Sequence, residues 1–355
     1  MKLPARYKPS SKAFDDGGMS EAIVCTDTHL DRQVVIKSLK AGADSKRILD
    51  ELAALQTIRS KHVVQIYDVI RDSKGNVVAI VEEYLPGNDL TMVAAPKNAD
   101  EFLRLAYPLA EGIADIHAHN RVHRDIKRQN LKFDAENCLK IFDFGLARDT
   151  AAEASTMGEI GTPGYMAPEL FATSKGAKVV FDKAVDTYAF AATLLAVVLG
   201  TLPKEMKQIP PKLPCPQADF SKLGINIPAD IALLLNKCLE KESSARPTMA
   251  AVAALIGQFL LHNQHRALLV SHAGTAVLDK SNPVVQLSVK GQGSLKISYT
   301  GFQFKVSDVT GNVSINNMLT GEGYILPGSC VIVLGAVAPL RTFVTVDVSH
   351  PEVSL

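Results

Sequence analysis

The sequence is poor in the features that announce metal cages, disulfides or membranes. Its five cysteines, Cys25, Cys138, Cys215, Cys238 and Cys330, lie far apart and form no C-x-x-C pair. That argues against a structural zinc site or a disulfide framework and fits a reducing cytosol. The nine histidines show no H-E-x-x-H or similar ligand spacing. The opening residues Met1-Lys2-Leu3-Pro4-Ala5-Arg6 lack the apolar stretch of a signal peptide. The most apolar run, Tyr188 to Gly200, is shorter than the roughly 20 residues a bilayer demands and reads as a buried helix. Charge of one sign is missing too: 38 Lys and Arg face 37 Asp and Glu, so no global field draws the chain to nucleic acid or anionic lipid. There is no internal repeat and no G-x-x-x-x-G-K-[ST] loop, which removes the P-loop ATPases. The expectation is a cytoplasmic protein with neither a membrane nor a nucleic-acid partner.

What is present is an ordinary globular composition, 47% hydrophobic and 21% charged over 355 residues, long enough for one large domain and a small one. Residues 22–37 alternate apolar and polar runs and read as two strands around a turn at Asp27 to Arg32. Ile48, Leu52, Leu55 and Ile58 recur at helical spacing and predict an amphipathic helix over 45–59. Val63 to Ile70 and Val77 to Tyr84 are β-branched runs separated by Ser73-Lys74-Gly75-Asn76, a turn. Beyond Pro86-Gly87-Asn88 the pattern becomes helical, over 100–119, 183–200, 228–240 and 247–261. From about residue 267 short alternating runs return (Leu295 to Thr300, Phe302 to Val306, Val331 to Leu334, Phe343 to Val348), separated by glycine turns. The predicted organisation is a strand-rich part over 1–85, a helix-rich part over 86–265 and a small all-β module over 266–355, an α+β chain with a boundary within 262–275.

Phosphoryl transfer asks for a cradle around phosphates, cations over developing charge, a carboxylate for the metal and another to orient the attacking hydroxyl. Candidates for each occur in order: Asp16-Gly17-Gly18-Met19-Ser20-Glu21, Val34-Val35-Ile36-Lys37, His123-Arg124-Asp125-Ile126-Lys127-Arg128-Gln129-Asn130, Asp143-Phe144-Gly145 and Gly161-Thr162-Pro163-Gly164-Tyr165-Met166-Ala167-Pro168-Glu169. Each of the shorter ones alone is weak, since two glycines are more often a turn and a strand-end lysine a solvated charge. The octapeptide at 123–130 is specific, and Asp143 follows Asp125 by 18 residues.

In this order and spacing, over residues 7 to 262, the chain resembles the bacterial type of serine/threonine protein kinase. The resemblance implies a two-lobed fold, with a β-rich lobe over 1–85 and a helical lobe over 86–265, and transfer of the γ-phosphoryl of ATP to protein hydroxyls with magnesium, or manganese in its place. It implies that Gly17, Gly18 and Ser20 cover the phosphates, and that Lys37 holds them while paired with Glu51. Asp125 would orient the hydroxyl and Lys127 steady the phosphate. Asn130 and Asp143 would bind the metal, and the backbone of Glu83 and Leu85 would meet the adenine. Thr162, Glu169, Asp186, Arg124 and Arg246 take structural roles, Glu169 pairing with Arg246. Lys127, two residues past Asp125, is the serine/threonine form. Two positions depart from the family pattern: Asp15 replaces the first glycine, and Glu82 stands where an apolar residue usually closes the cavity behind the adenine.

The segment 145–161 holds Thr150, Ser155 and Thr156, candidate autophosphorylation sites whose phosphate, carrying about −1.5 to −2 charge, would dock on Arg124. Loops favour such residues in any case. Residues 304–317, with Leu326-Pro327-Gly328-Ser329 and Val331 to Gly335, resemble the second half of a forkhead-associated domain, a β-sandwich that reads phosphothreonine. The Gly-Arg and Ser-x-x-His elements of that family have no clear counterpart upstream. Expected partners are protein substrates, with a cognate phosphatase or phosphoprotein beside them. Two rival readings stand: a pseudokinase scaffold that binds nucleotide or a partner without catalysis, and a β module that acts while the kinase part regulates it.

Overall fold

A computed structural model describes residues 3–10, 14–15, 20–39, 52–53, 55–144, 148–149, 162–171, 182–336 and 341–353. The chain divides into two compact units, Met1–Ile256 and Gly257–Leu355. The first begins with six antiparallel strands: β1 (Tyr7–Pro9), β2 (Phe14–Asp15), β3 (Ser20–Asp27), β4 (Arg32–Leu39), β5 (Ile66–Arg71) and β6 (Val77–Glu83). They lie in the order β1-β3-β4-β6-β5, with β2 beside β3. Strand side chains alternate between faces, and here the alternation sorts core from cavity. Cys25, Val34, Ile36, Ala79 and Val81 gather with Tyr7 and Ile70 in one apolar cluster. The intervening Ala22, Val24, Val35, Lys37 and Glu82 turn to the other face and line a cavity. Tyr7 Oη donates to Asp68 at 2.6 Å, and Arg6 grips both oxygens of buried Asp27 at 2.7 Å, so β1 is tied to the sheet by charge as well as by its ladder.

Of the helix expected over 45–59, Leu52, Ala53 and Leu55 are helical and a turn begins at Gln56; residues 45–51 and 54 lie outside the described set. Ile58 keeps the period and is 1% exposed, yet it lies past the helix end.

After these strands come α1 (Ala99–Ala118), α2 (Ala184–Leu199), α3 (Ala229–Cys238) and α4 (Met249–Leu260), the last running past Ile256, each within two residues of its predicted span. Asn98 caps α1 by accepting from the Glu101 N–H at 2.9 Å, and Glu101 reaches back to the Lys97 N–H at 2.9 Å, a reciprocal cap. Helix α2 is buried continuously from Val185 to Val197, and α1 and α3 pack against it. Among the described residues no helix is long and apolar enough to cross a membrane. Gly112 lets α1 approach closely: a Cβ there would meet Ile141 Cδ1 at 2.9 Å and His62 Cβ at 3.0 Å. Between the helices run short strands, β7 (Arg121–Val122), the hairpin β8 (Leu131–Phe133) and β9 (Leu139–Ile141), and β10 (Arg148–Asp149), which pairs with β7.

The second unit contains β11 (Ala267–Ser271), β12 (Gly274–Leu278), β13 (Val284–Val289), β14 (Gly293–Tyr299), β15 (Phe304–Gly311), β16 (Val313–Ile315), β17 (Met318–Leu319), β18 (Cys330–Leu334) and β19 (Thr342–Val348). They form a six-stranded sheet in the order β12-β11-β19-β18-β16-β17 and a three-stranded sheet β13-β14-β15. Leu295, Ile297, Phe304 and Val306 of the small sheet share one core with Leu269, Ile332, Val344 and Val346 of the large one. In β19, Thr342, Val344, Val346 and Val348 point inward while the residues between them are exposed, the period-2 pattern of a strand with one wet face.

Candidate active site

A cavity of about 530 Å³ opens under the first sheet. Its walls are Ala22 and Val24 of β3, Val35 and Lys37 of β4, Val64, and the segment Glu82 to Leu85 at the end of β6; below lie Asp89, Lys127, Gln129, Asn130, Lys132, Phe142, Asp143 and Thr162. Lys37, Lys127 and Asp143 line it together with apolar walls and the segment 82–85.

The lower side is held by one buried carboxylate. Asp186, the third residue of α2, has no exposed surface. Its Oδ2 accepts from the His123 N–H at 2.8 Å and its Oδ1 from the Arg124 N–H at 2.9 Å, while His117 Nε2 lies 3.1 Å from Oδ2. Burial alone pushes this carboxyl up, but the hydrogen bond and charge of His117, with His123 and its backbone N–H, outweigh it and hold it below the usual carboxylate range. This grip keeps Arg124 at φ 73°, a left-handed backbone that non-glycine residues adopt only when their surroundings hold them there.

Asp125 follows. Its Oδ2 accepts from Lys127 Nζ at 2.6 Å and Asn130 Nδ2 at 3.0 Å, and its Oδ1 from Thr162 Oγ1 at 3.2 Å. Lys127 Nζ also donates to Thr162 Oγ1 at 3.0 Å. The Asp125 N–H points to His123 Nδ1 at 3.3 Å, which makes His123 Nε2 the donor to the Phe142 carbonyl at 3.1 Å. The His123 ring also meets Phe144 edge-on, with centroids 4.6 Å apart. His123 thereby ties the segment of Asp125 to the segment of Asp143.

Asp143 has φ 63° and a side chain 35% exposed; its Oδ1 lies 3.4 Å from Nζ of Lys37, which is 5% exposed. The carboxylate of Asp143 and the amide oxygen of Asn130, whose Nδ2 is taken by the Asp125 carbonyl at 2.8 Å, are hard oxygen donors. Among the described residues no three His, Cys, Asp or Glu side chains form a metal cage. One or two protein oxygens beside a phosphate site suit magnesium, which keeps waters and phosphate oxygens in its shell. The residues fit that ion.

At the far end the Glu83 N–H is already used by the Gln65 carbonyl at 2.9 Å. The Glu83 side chain turns to Lys140 of β9 at 2.9 Å, and Asp134 lies 3.6 Å from the same ammonium. Burial pulls the Lys140 ammonium down, but Glu83 and Asp134 outweigh it and hold it above its ordinary value. Leu85 and Glu82 both line the cavity, and each is 6% exposed.

Away from the cavity, Arg246 donates through all five N–H groups: to both Glu169 oxygens at 2.7 Å and to the carbonyls of Glu240, Ala184 and Lys241 at 2.8, 3.0 and 3.2 Å.

Gly17, Gly18, Glu51, Thr150, Ser155 and Thr156 lie outside the described residues, and Ser20 is described only as the first residue of β3. The structure brings Lys37, Glu83, Leu85, Lys127, Asn130, Asp143 and Thr162 to one cavity, with Asp125 bonded to three of them. Sequence reasoning passed over the cavity's apolar walls Ala22, Val24, Val35, Val64 and Phe142, and over His117 and Lys140. For the first three the signal was available in the period-2 alternation of β3 and β4 that also carries Lys37. For His117 and Lys140 no local signal exists.

Residues 11–256 match the family described as protein kinase domain. The chain is similar to serine/threonine-protein kinase pkn2 of Myxococcus xanthus, 31% identical over 262 residues, 67% of this chain and 30% of that protein. It is also similar to serine/threonine-protein kinase ppk34 of Schizosaccharomyces pombe, 29% identical over 57% of this chain and 58% of the relative. Serine/threonine-protein kinase pakB of Dictyostelium discoideum is 27% identical over 68% of this chain and 29% of its own length. The chain thus spans between 29% and 58% of these curated relatives. With more than half of its residues matched, and Lys37, Asn130 and Asp143 around one cavity with Asp125 bonded to Asn130, the chain belongs to the protein kinase domain family.

Proposed function

We propose that this chain transfers the γ-phosphoryl of ATP to serine and threonine hydroxyls of other proteins. The observation that carries the reading is the cluster around Asp125, where Lys127, Asn130 and Thr162 hold a carboxylate beside the cavity into which Lys37 and Asp143 project. Asp125 accepts a hydrogen bond from the incoming hydroxyl, orients its oxygen and takes its proton late. Lys127, already on Asp125 and Thr162, steadies the phosphoryl group in flight, and Lys37 neutralises phosphates at its end of the cavity. Asp143 and Asn130 would hold magnesium, or manganese, which when bound with the nucleotide supplies positive charge to the phosphate oxygens. Glu83 and Leu85 present backbone groups to the adenine. Glu51, Gly17, Gly18 and Ser20 complete the pocket in this reading.

Radiolabel transfer from ATP to a generic basic protein tests it. The wild type labels the acceptor, whereas Lys37→Met, Asp125→Asn and Asp143→Asn abolish labelling with unchanged melting; equal labelling by Asp125→Asn would end the proposal.

Autophosphorylation at Thr156, Ser155 or Thr150, read by Arg124, is the regulation this reading suggests. Mapping of phosphosites after incubation with ATP, with Asp125→Asn as control, tests it, and an active protein unmodified over 145–161 refutes it. For residues 266–355 the shared core of two sheets supports a β-sandwich module; a forkhead-associated type that engages a phosphoprotein rests on the sequence resemblance alone. Binding of phosphothreonine peptides by the full chain, set against their unphosphorylated forms, is the measurement that decides.

A further inference from the structure

Arg128 sits between Lys127 and Gln129, both of which line the cavity, and opens the single 3₁₀ turn Arg128–Asn130. Its carbonyl accepts from the Leu90 N–H at 3.3 Å, so its backbone is held at the cavity rim. Its guanidinium is not matched in the same way. Among the described residues no carboxylate lies within ion-pair distance of it, and its Nε is shut off from solvent with no hydrogen-bond partner. Arg6 and Arg246, by contrast, each grip both oxygens of one carboxylate at 2.7 Å. Lys132 also lines the cavity without an acid in reach among the described residues. Asp89, on the same wall, accepts at Oδ1 from the N–H and hydroxyl of Thr91 and pairs with neither cation.

An arginine fork matches a carboxylate or phosphate with two parallel N–H bonds. With one N–H already out of water, Arg128 pays little further desolvation to take such a partner. Three residues separate it from Asp125, so their Cα atoms lie at most about 10–11 Å apart. An extended peptide advances about 3.3–3.6 Å per residue. With its hydroxyl at Asp125, a side chain one to three residues away therefore comes level with Arg128. We infer that Arg128 is a specificity-determining residue for the protein substrate, selecting an acidic side chain, carboxylate or phosphate, within three residues of the acceptor hydroxyl. The inference rests on the kinase reading proposed above.

Steady-state phosphorylation by the full chain, with ATP and magnesium, tests it on peptides that share one acceptor serine. They differ at one flanking position, which carries glutamate, phosphoserine, alanine or lysine in turn at each of the three places on either side. For the best position, kcat/KM of the wild type should be at least about 10-fold higher for an acidic peptide than for its alanine form, the scale of one charge-assisted hydrogen bond. The gain should fall mainly in KM, and the larger of the glutamate and phosphoserine values identifies the anion. Arg128→Gln should bring the ratio below about 2-fold and leave the alanine peptide unchanged, and Arg128→Glu should turn the preference toward lysine. An Arg128→Gln protein that melts as the wild type and keeps the wild-type ratio overturns the inference. So does a wild type that phosphorylates acidic and alanine peptides alike at all six positions, a result that needs no variant to fold. A wild type that labels none of the peptides and no generic basic protein removes the kinase reading itself, and this inference with it.

Discussion

Removing the carboxylate of Glu169 should unfold this kinase domain more readily than its modest exposure suggests. The Arg246 side chain has no exposed surface, while that of Glu169 is 25% exposed. All five guanidinium N–H groups are bonded, two of them to Glu169 at 2.7 Å. In Glu169→Ala the three carbonyl bonds remain, and one donor on each of Nη1 and Nη2 is left without a partner beside a charge that cannot leave. Stripping one partner from a buried ion pair costs about 3–5 kcal/mol, and partial solvent access at Glu169 places this case near the low end. Against a total stability of about 5–15 kcal/mol, that is a large fraction.

Urea unfolding followed by far-ultraviolet circular dichroism should show a lowered midpoint at unchanged slope, and the melting temperature should fall by about 6–12 °C on the scale of 2–4 °C per kcal/mol for a domain of this size. A double variant, Glu169→Leu with Arg246→Met, should recover part of the loss, because an apolar pair leaves no buried charge. Lys222→Ala is the control. Its ammonium is 70% exposed and 2.9 Å from Asp219, and it should cost less than about 1 kcal/mol. A change for Glu169→Ala no larger than that of Lys222→Ala would refute the reasoning.

Lys140→Met should destabilise by about 3 kcal/mol, since it leaves Glu83 and Asp134 without the ammonium between them, and adding Glu83→Gln should restore part of it in the same urea assay. Thr162→Val removes the hydroxyl that links Asp125 and Lys127. Phosphoryl transfer should slow by about 10-fold in kcat with little change in ATP affinity, and Thr162→Ser should restore it; a wild-type kcat for the valine variant would refute the link. The Asp27 carboxyl, hydrogen-bonded by Arg6, is held at about 2 against an ordinary 3.8. A depressed folded value gives stability that is complete above the unfolded value and lost as pH falls from about 4 through 2. Asp27→Asn should flatten that acid limb, and parallel limbs for wild type and variant would count against the assignment.

Much of the local structure was legible because it depends on short-range periodicity. The alternation of β3 and β4, the span of α2 and the runs that became β14, β18 and β19 are each written in contiguous residues whose side chains choose a face by a period of 2 or 3.6. Boundaries were less legible. The helical period that reached Ile58 ended in a turn at Gln56, because burial can be met by a residue just past a helix end as well as by one within it.

The sequence alone determined which residue types recur in which order, and hence the resemblance to protein kinases; it also determined, through alternation, that Val35 and Lys37 share a face opposite Val34 and Ile36. Only the tertiary structure decided what that face meets. Asp186 reaches residues 123 and 124 across 62 to 63 positions, Arg246 reaches Glu169 across 77, and Glu83 reaches Lys140 across 57. No periodicity encodes such contacts, because each forms when two independently folded elements pack and a buried charge takes whatever partner the packing brings within about 3 Å.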